Sequence, residues 1–198
     1  MSQKLFEQSK YFVRKKFWKI FGGEIRIYDE SESQLLCFVK QKAFKLKEDI
    51  RVYSDESMNQ EVLLIAARSI IDFGASYDVT DSATKQRVGT LRRKLLKSML
   101  RDSWKILNSQ EQEIGEVKED SMLLALLRRF ISGPWVPQSY DITVGNTTVG
   151  TVKQTFNPFV PRFRVDFSMD TNQTLDRRLG IASVILLGII EGKQQGGN

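Results

Sequence analysis

The chain of 198 residues has no histidine, one cysteine and no apolar run long enough to cross a bilayer. Each absence removes a class of function. Without histidine there is no Ser-His-Asp triad, no His metal site and no His general base. Chemistry would have to rest on carboxylates, Lys or Tyr. Acids such as Asp72, Asp78, Glu111 and Glu113 read most simply as solvated loop or strand-face residues, so a non-enzymatic role without a cofactor is expected. A single cysteine forms no internal disulfide, and Cys37, within LLCFVK, reads as a small core residue. No signal peptide is visible, and together these features point to a reducing, cytoplasmic setting. No G-x-G-x-x-G or P-loop spacing occurs.

The nearest approach to a membrane span is LDRRLGIASVILLGIIEGK. From Leu179 to Ile190 only Ser183 is polar. A helix rises about 1.5 Å per residue, so this stretch covers roughly 18 Å against a hydrocarbon core of about 30 Å. Charges bracket it closely: Asp176, Arg177 and Arg178 before, Glu191 and Lys193 after. A helix apolar all round and too short for lipid is a buried core helix. Thr174 can cap its start, Asp176 suits its positive end and Gly192 suits its stop, which gives a central helix over 174–192. Ile181, Val184 and Ile185 are then core residues, and the rest of the chain must surround them.

That surround is legible as a repeat. IRIYDESESQLL starts at Ile25, IRVYSDESMNQEVLL at Ile50, YDVTDSATKQRVGTL at Tyr77, WKILNSQEQEIGEV at Trp104 and YDITVGNTTVGTV at Tyr140. Each is a β-rich run, a polar turn and a second β-rich run, the pattern of a hairpin. Gly89, Gly115 and Gly150 recur inside the second run, where a glycine marks a bulge, a bend or a close backbone approach. Five hairpins supply ten strands. RFRVDFS, Arg162 to Ser168, adds another, and a twelfth comes from YFVRKKFWKIF or from the segment around Ile70 to Phe73. In GTLRRKLLKSMLRDSW a helical face competes with strand, turn, strand; the repeat favours the strands. About a dozen antiparallel strands close into a barrel, which removes the sheet edges, and the apolar helix fills it. The expected fold is mainly β, one barrel domain over 1–198 with a C-terminal central helix. One external helix is expected from Glu119 to Pro134.

Charge is uneven. The formal net charge is +6, yet residues 1 to 19 alone hold Lys4, Lys10, Arg14, Lys15, Lys16 and Lys19 against Glu7. Residues 85 to 101 hold Lys85, Arg87, Arg92, Arg93, Lys94, Lys97 and Arg101 and no acid. Such patches suit anionic partners. Within the basic, aromatic segment 1–20, Trp18 and its neighbours could seat at headgroup level while Arg14, Lys15, Lys16 and Lys19 meet anionic lipid. The competing reading makes this segment the first strand, aromatics inward and bases outward. In the second stretch the lipid-facing candidates are Arg92, Arg93, Lys94, Lys97 and Arg101. Aromatics do not interleave with that stretch and no nucleic-acid-binding motif appears, so nucleic acid is not the expected partner.

The blocks KQKAFKLKEDIRVYSDES, VGTLRRK with LRDSWKIL, NPFVPRFRVDFSMD and DRRLGIASVILLGIIEGKQQ resemble the tubby C-terminal-like superfamily. More narrowly they resemble its LURP-one-related and phospholipid-scramblase-like members, over roughly residues 10 to 195. The resemblance implies a twelve-stranded barrel around a hydrophobic C-terminal helix. It also implies lipid as partner, since tubby domains bind phosphoinositide headgroups and scramblase-like proteins are credited with calcium-dependent lipid movement. Asp166, Ser168, Asp170, Asn172 and Thr174 place an oxygen at alternate positions before the last helix, so Asp166 and Asp170 are calcium candidates; the competing reading is a strand end running into a capped helix. The functional expectation is peripheral binding to an anionic phospholipid surface at the inner membrane face. Scrambling, and a barrel that binds protein or nucleic acid, are the alternatives.

Overall fold

A computed structural model of the chain describes residues 2–18, 22–41, 49–71, 74–94, 103–120, 138–155 and 162–194. Twelve strands form a closed antiparallel barrel in which each strand pairs with its chain neighbours and β12 pairs with β1. The strands are β1 Lys10–Trp18, β2 Gly22–Asp29, β3 Leu35–Gln41, β4 Ile50–Tyr53, β5 Glu61–Ile71 and β6 Gly74–Asp81. They continue as β7 Arg87–Lys94, β8 Ser103–Asn108, β9 Glu113–Glu119, β10 Ser139–Val144, β11 Thr147–Thr155 and β12 Arg162–Asp166. Helix α1, Ser2–Glu7, precedes the barrel, and helix α2, Arg177–Gln194, runs inside it.

The sequence repeat is a repeat of geometry. In each of the five repeat hairpins the pairing slips once, after Ile27, Val52, Val79, Ile106 and Ile142. Each slip lies two residues beyond the start of its repeat. A bulge bends its strand and adds twist, so five in step curve the sheet toward closure. The first four turns also share a plan. An Asp or Asn folds back on the turn: Asp29 Oδ1 accepts the N–H groups of Ser33 and Gln34, Asp81 Oδ1 those of Ala83 and Thr84, and Asn108 Oδ1 those of Gln110 and Gln112. A left-handed residue then closes each turn: Glu32 (φ 62°), Met58 (57°), Lys85 (58°) and Glu111 (65°). Antiparallel order brings these turns to one rim of the barrel, where α2 also begins.

Alternation fills the lumen. Ile25, Val39, Val52, Leu63, Val79 and Ile106 are fully buried, and every residue of α2 from Leu179 to Ile189 is buried among them. Ile181, Val184 and Ile185 are core residues, as the sequence requires. Ser183, the polar interruption, donates its hydroxyl to the Leu179 carbonyl at 2.8 Å, so its burial leaves no unpaired group. The three recurrent glycines mark close approaches. A Cβ on Gly89 would lie 2.2 Å from the Leu107 carbonyl and 3.0 Å from Leu179 on α2, one on Gly115 1.9 Å from the Thr143 carbonyl, and one on Gly150 2.6 Å from the Phe167 ring.

Three boundaries differ from expectation. Helix α2 starts at Arg177 and not at Thr174, because Asp176 is the cap: its Oδ1 accepts the Arg178 N–H at 2.9 Å. Thr174 instead serves the preceding loop through Asp170. The helix also continues through Gly192 to Gln194, since one glycine inside a helix costs only about 1 kcal/mol. Glu119, expected to open an external helix, is the last residue of β9, and positions 121–134 of that segment lie outside the described residues. Helix α1 was not foreseen; Leu5 drops into the core, and the Tyr11 hydroxyl lies 2.7 Å from both the Leu5 and Gln8 carbonyls.

Candidate functional site

The first basic segment is strand β1, and alternation sorts its residues. Arg14 and Lys16 face outward; Lys15 faces the lumen and is 1% exposed. Lys15 therefore cannot serve as a surface contact. The proposal of inward aromatics and outward bases holds for Tyr11 but not for Lys15, nor for Phe12, which points outward beneath arginine side chains. Trp18 ends the strand, and its side chain, like Lys19, lies outside the described residues.

The described arginines of the second basic segment do not form a free basic surface. Arg93 pairs in register with Trp104, a core residue, so it shares the lumen side. Arg92 and Arg87 face outward, where Glu111 of the next hairpin meets both: Arg87 pairs with it closely and Arg92 stands 3.9 Å away. Arg68 on β5 forks onto Asp78, Nε to Oδ2 at 2.8 Å and Nη2 to Oδ1 at 2.7 Å, and reaches Glu111 at 2.7 Å. Thr90 donates to Asp78 Oδ1 at 2.7 Å. Lys105 pairs with Glu113, and Lys118 with Glu116 at 3.1 Å. The hydrogen bonds from Arg68 and Arg87 hold the Glu111 carboxyl down at about 2. Of the other candidates here, the Lys94 side chain, Lys97 and Arg101 lie outside the described residues.

Barrel closure builds a second wall that no single segment contains. Arg14 on β1 stands opposite Arg26 on β2 and Arg162 on β12, so three arginines share one cross-strand row. The adjacent row runs Tyr28, Phe12, Arg164, Lys153 over β2, β1, β12 and β11. Like charges directly opposite one another in a sheet are destabilising. Partners relieve only part of this. Arg26 is held by Glu24 at 2.8 Å and Glu56 at 2.7 Å. Arg14 meets Glu32 at 2.6 Å, and Arg164, 58% exposed, is 3.6 Å from the same Glu32. Arg162 has no carboxylate partner among the described residues, and the Nε atoms of Arg14 and Arg162 are shielded from water without an acceptor. Lys153, at the end of the second row, and Lys16, beside the first, are exposed.

Arg26, Arg162, Arg164 and Lys153 were not singled out from sequence. The signal present was local: in RFRVD, Phe163 and Val165 alternate with Arg162 and Arg164, so both arginines must face outward once the phenylalanine and valine are buried. What sequence spacing does not show is that β12 lies against β1.

The calcium candidates have other partners. Asp170 Oδ1 accepts the Thr174 N–H and hydroxyl, and Oδ2 accepts the Leu175 N–H at 3.2 Å with Arg177 at 3.9 Å. Asp166 Oδ1 accepts the Ser168 N–H at 2.7 Å. Among the described residues no group of three or more Cys, Asp or Glu is arranged to hold a metal, and no helix is long and apolar enough to cross a membrane.

The family model for LURP-one-related proteins matches residues 35–188, and the chain belongs to that family. The matched part begins at β3, so β1, which closes the barrel and carries Arg14, precedes it. The barrel around its helix is the architecture that the sequence resemblance implies. The chain matches no curated protein and no solved structure.

Proposed function

We propose that this LURP-one-related barrel is a non-enzymatic module at the cytoplasmic face of a membrane, where it binds anionic phospholipid peripherally through the wall of β2, β1, β12 and β11. The observation that carries this reading is the arginine row Arg26–Arg14–Arg162, in which cations face one another across strands; with Arg164 beside the row they share the three carboxylates Glu24, Glu56 and Glu32, and Arg162 meets none among the described residues. An arrangement that is unfavourable in the free protein becomes favourable against a sheet of phosphates. Each Lys or Arg near an anionic leaflet contributes about 1 kcal/mol, so Arg14, Lys16, Arg162, Arg164 and Lys153 together supply about 5 kcal/mol at low salt. That corresponds to reversible, salt-sensitive attachment.

The scrambling alternative asks more of the fold. It needs α2 in contact with lipid, yet Leu179 to Ile189 form the barrel's own core, and withdrawing them would expose the lumen. Flotation of the full chain with phosphatidylcholine vesicles, with and without phosphatidylserine, tests the reading. Binding only to anionic vesicles, abolished by high salt and indifferent to calcium, supports it; absence of binding at low salt rejects it.

A further inference from the structure

Some acids of the turn rim, such as Asp29 and Asp55, fold back on their own turns; others, such as Glu56 and Glu111, reach a neighbouring hairpin, and Glu32 is one of these. Glu32, fixed at φ 62° in the β2–β3 turn, reaches out of its hairpin onto the wall of β1 and β12. One carboxylate oxygen lies 2.6 Å from Arg14 Nη2 and the other 3.6 Å from Arg164 Nη2. Both guanidinium groups stand over the Phe12 ring, with centroid distances of 5.5 and 5.2 Å, and Arg14 also faces Tyr28 at 5.1 Å. Phe12 points out of the barrel and is nevertheless only 2% exposed, because this arginine layer covers it.

A carboxylate held between two guanidinium groups on an aromatic shelf has the geometry of a bound oxyanion. We propose that Arg14 and Arg164, backed by Phe12, form an oxyanion site that Glu32 occupies in the free protein, and that a phosphate group takes the site by displacing the Glu32 carboxylate. The headgroup version of this proposal rests on the membrane reading above; the site itself requires only phosphate.

Four features favour the exchange. Glu32 is partly exposed and tethered only through its turn, so its carboxylate can swing into water. A phosphate brings more negative charge and more acceptor oxygens than a carboxylate. Arg162, beside Arg14 in register and without a carboxylate partner among the described residues, offers a third guanidinium that Glu32 does not engage. The acceptor-less Nε atoms of Arg14 and Arg162 are a cost of the free state, and turning the side chains around a larger anion relieves it.

The test compares two charge-equivalent variants. Glu32→Gln opens the site; Glu113→Gln removes an acid paired with Lys105 on the opposite wall. Affinity is measured by calorimetry with inorganic tripolyphosphate and by flotation with phosphatidylserine-containing vesicles. Glu32→Gln tightens tripolyphosphate binding by about three- to tenfold, the worth of one charge near the ligand, whereas Glu113→Gln changes it less than about twofold. Adding Arg164→Gln to Glu32→Gln removes the gain. Equal gains from Glu32→Gln and Glu113→Gln, or none from Glu32→Gln, overturn the proposal. A tripolyphosphate response without vesicle binding keeps the site and rejects the membrane reading; vesicle binding indifferent to Glu32→Gln does the reverse.

Discussion

Two walls of the same barrel are rich in arginine, and they differ in how the charge is met. On the wall of β5 to β9, Arg68, Arg87 and Arg92 converge on Glu111, with Asp78 beneath, so each of these arginines has a carboxylate within 3.9 Å. On the wall of β2, β1, β12 and β11, cations stand opposite cations, and Glu32 serves two of them. Arg87 and Arg92, from a run free of acids in sequence, thus meet their acid in three dimensions from the following hairpin. The partly compensated wall is assembled from strands at the two ends of the barrel sequence. A basic run in sequence is therefore not the same thing as a basic surface.

Disturbing the frame that both walls share has the largest effect. Ile185→Ala, in a fully buried position of α2, is expected to cost about 2–5 kcal/mol, from lost transfer energy and the cavity left behind. Gly150→Val, whose Cβ would meet the Phe167 ring, is expected to cost about 1–3 kcal/mol. Urea unfolding checks both, and a stability loss below 1 kcal/mol at Ile185 would contradict the packed-lumen account.

Breaking the compensated wall alone comes next. Arg68→Ala removes the fork on Asp78 and one partner of Glu111, and is expected to lower Tm by about 2–4 °C with vesicle binding unchanged. Acid acts on the same contacts. The Glu111 carboxyl, held by Arg68 and Arg87, and the Asp29 carboxyl, held first by the Gln34 N–H and then by the Ser31 hydroxyl, both sit at about 2 in the folded protein. Their unfolded values are near 4, so their stabilisation is complete above about pH 4.5 and is lost as pH falls toward 2. Thermal melts across that range should show the decline, and Glu111→Gln should make it shallower. The smallest effect is expected at the turns: Lys85→Gly relieves a left-handed non-glycine residue and should raise stability by up to about 1 kcal/mol.

The scaffold was legible because it is periodic. The five hairpins, the bulge-associated glycines and the buried identity of Leu179–Ile189 follow from spacing, length and polarity. The site was legible only in part. Arg14 and Lys16 stand where alternation puts them, whereas Lys15, in the same basic run, turns into the lumen because side chains on a strand alternate regardless of charge. Arg93, half-buried, lies on the lumen side of β7 for the same reason. Arg162 and Arg164 escaped notice because only the pairing of the last strand with the first brings them beside Arg14. Glu111, the acid that meets Arg87 and Arg92, lies in a turn outside their run, and ion pairing across hairpins leaves no mark on local composition.

The most direct test of the central claim reverses two charges on each wall and compares vesicle binding. Arg14→Glu with Arg162→Glu is expected to weaken binding to phosphatidylserine vesicles by more than about thirtyfold, while Arg87→Glu with Arg92→Glu, equal in charge change, weakens it by no more than about threefold. Equal losses from the two pairs, in proteins that melt cooperatively, would contradict the claim that one wall of the barrel is the docking face.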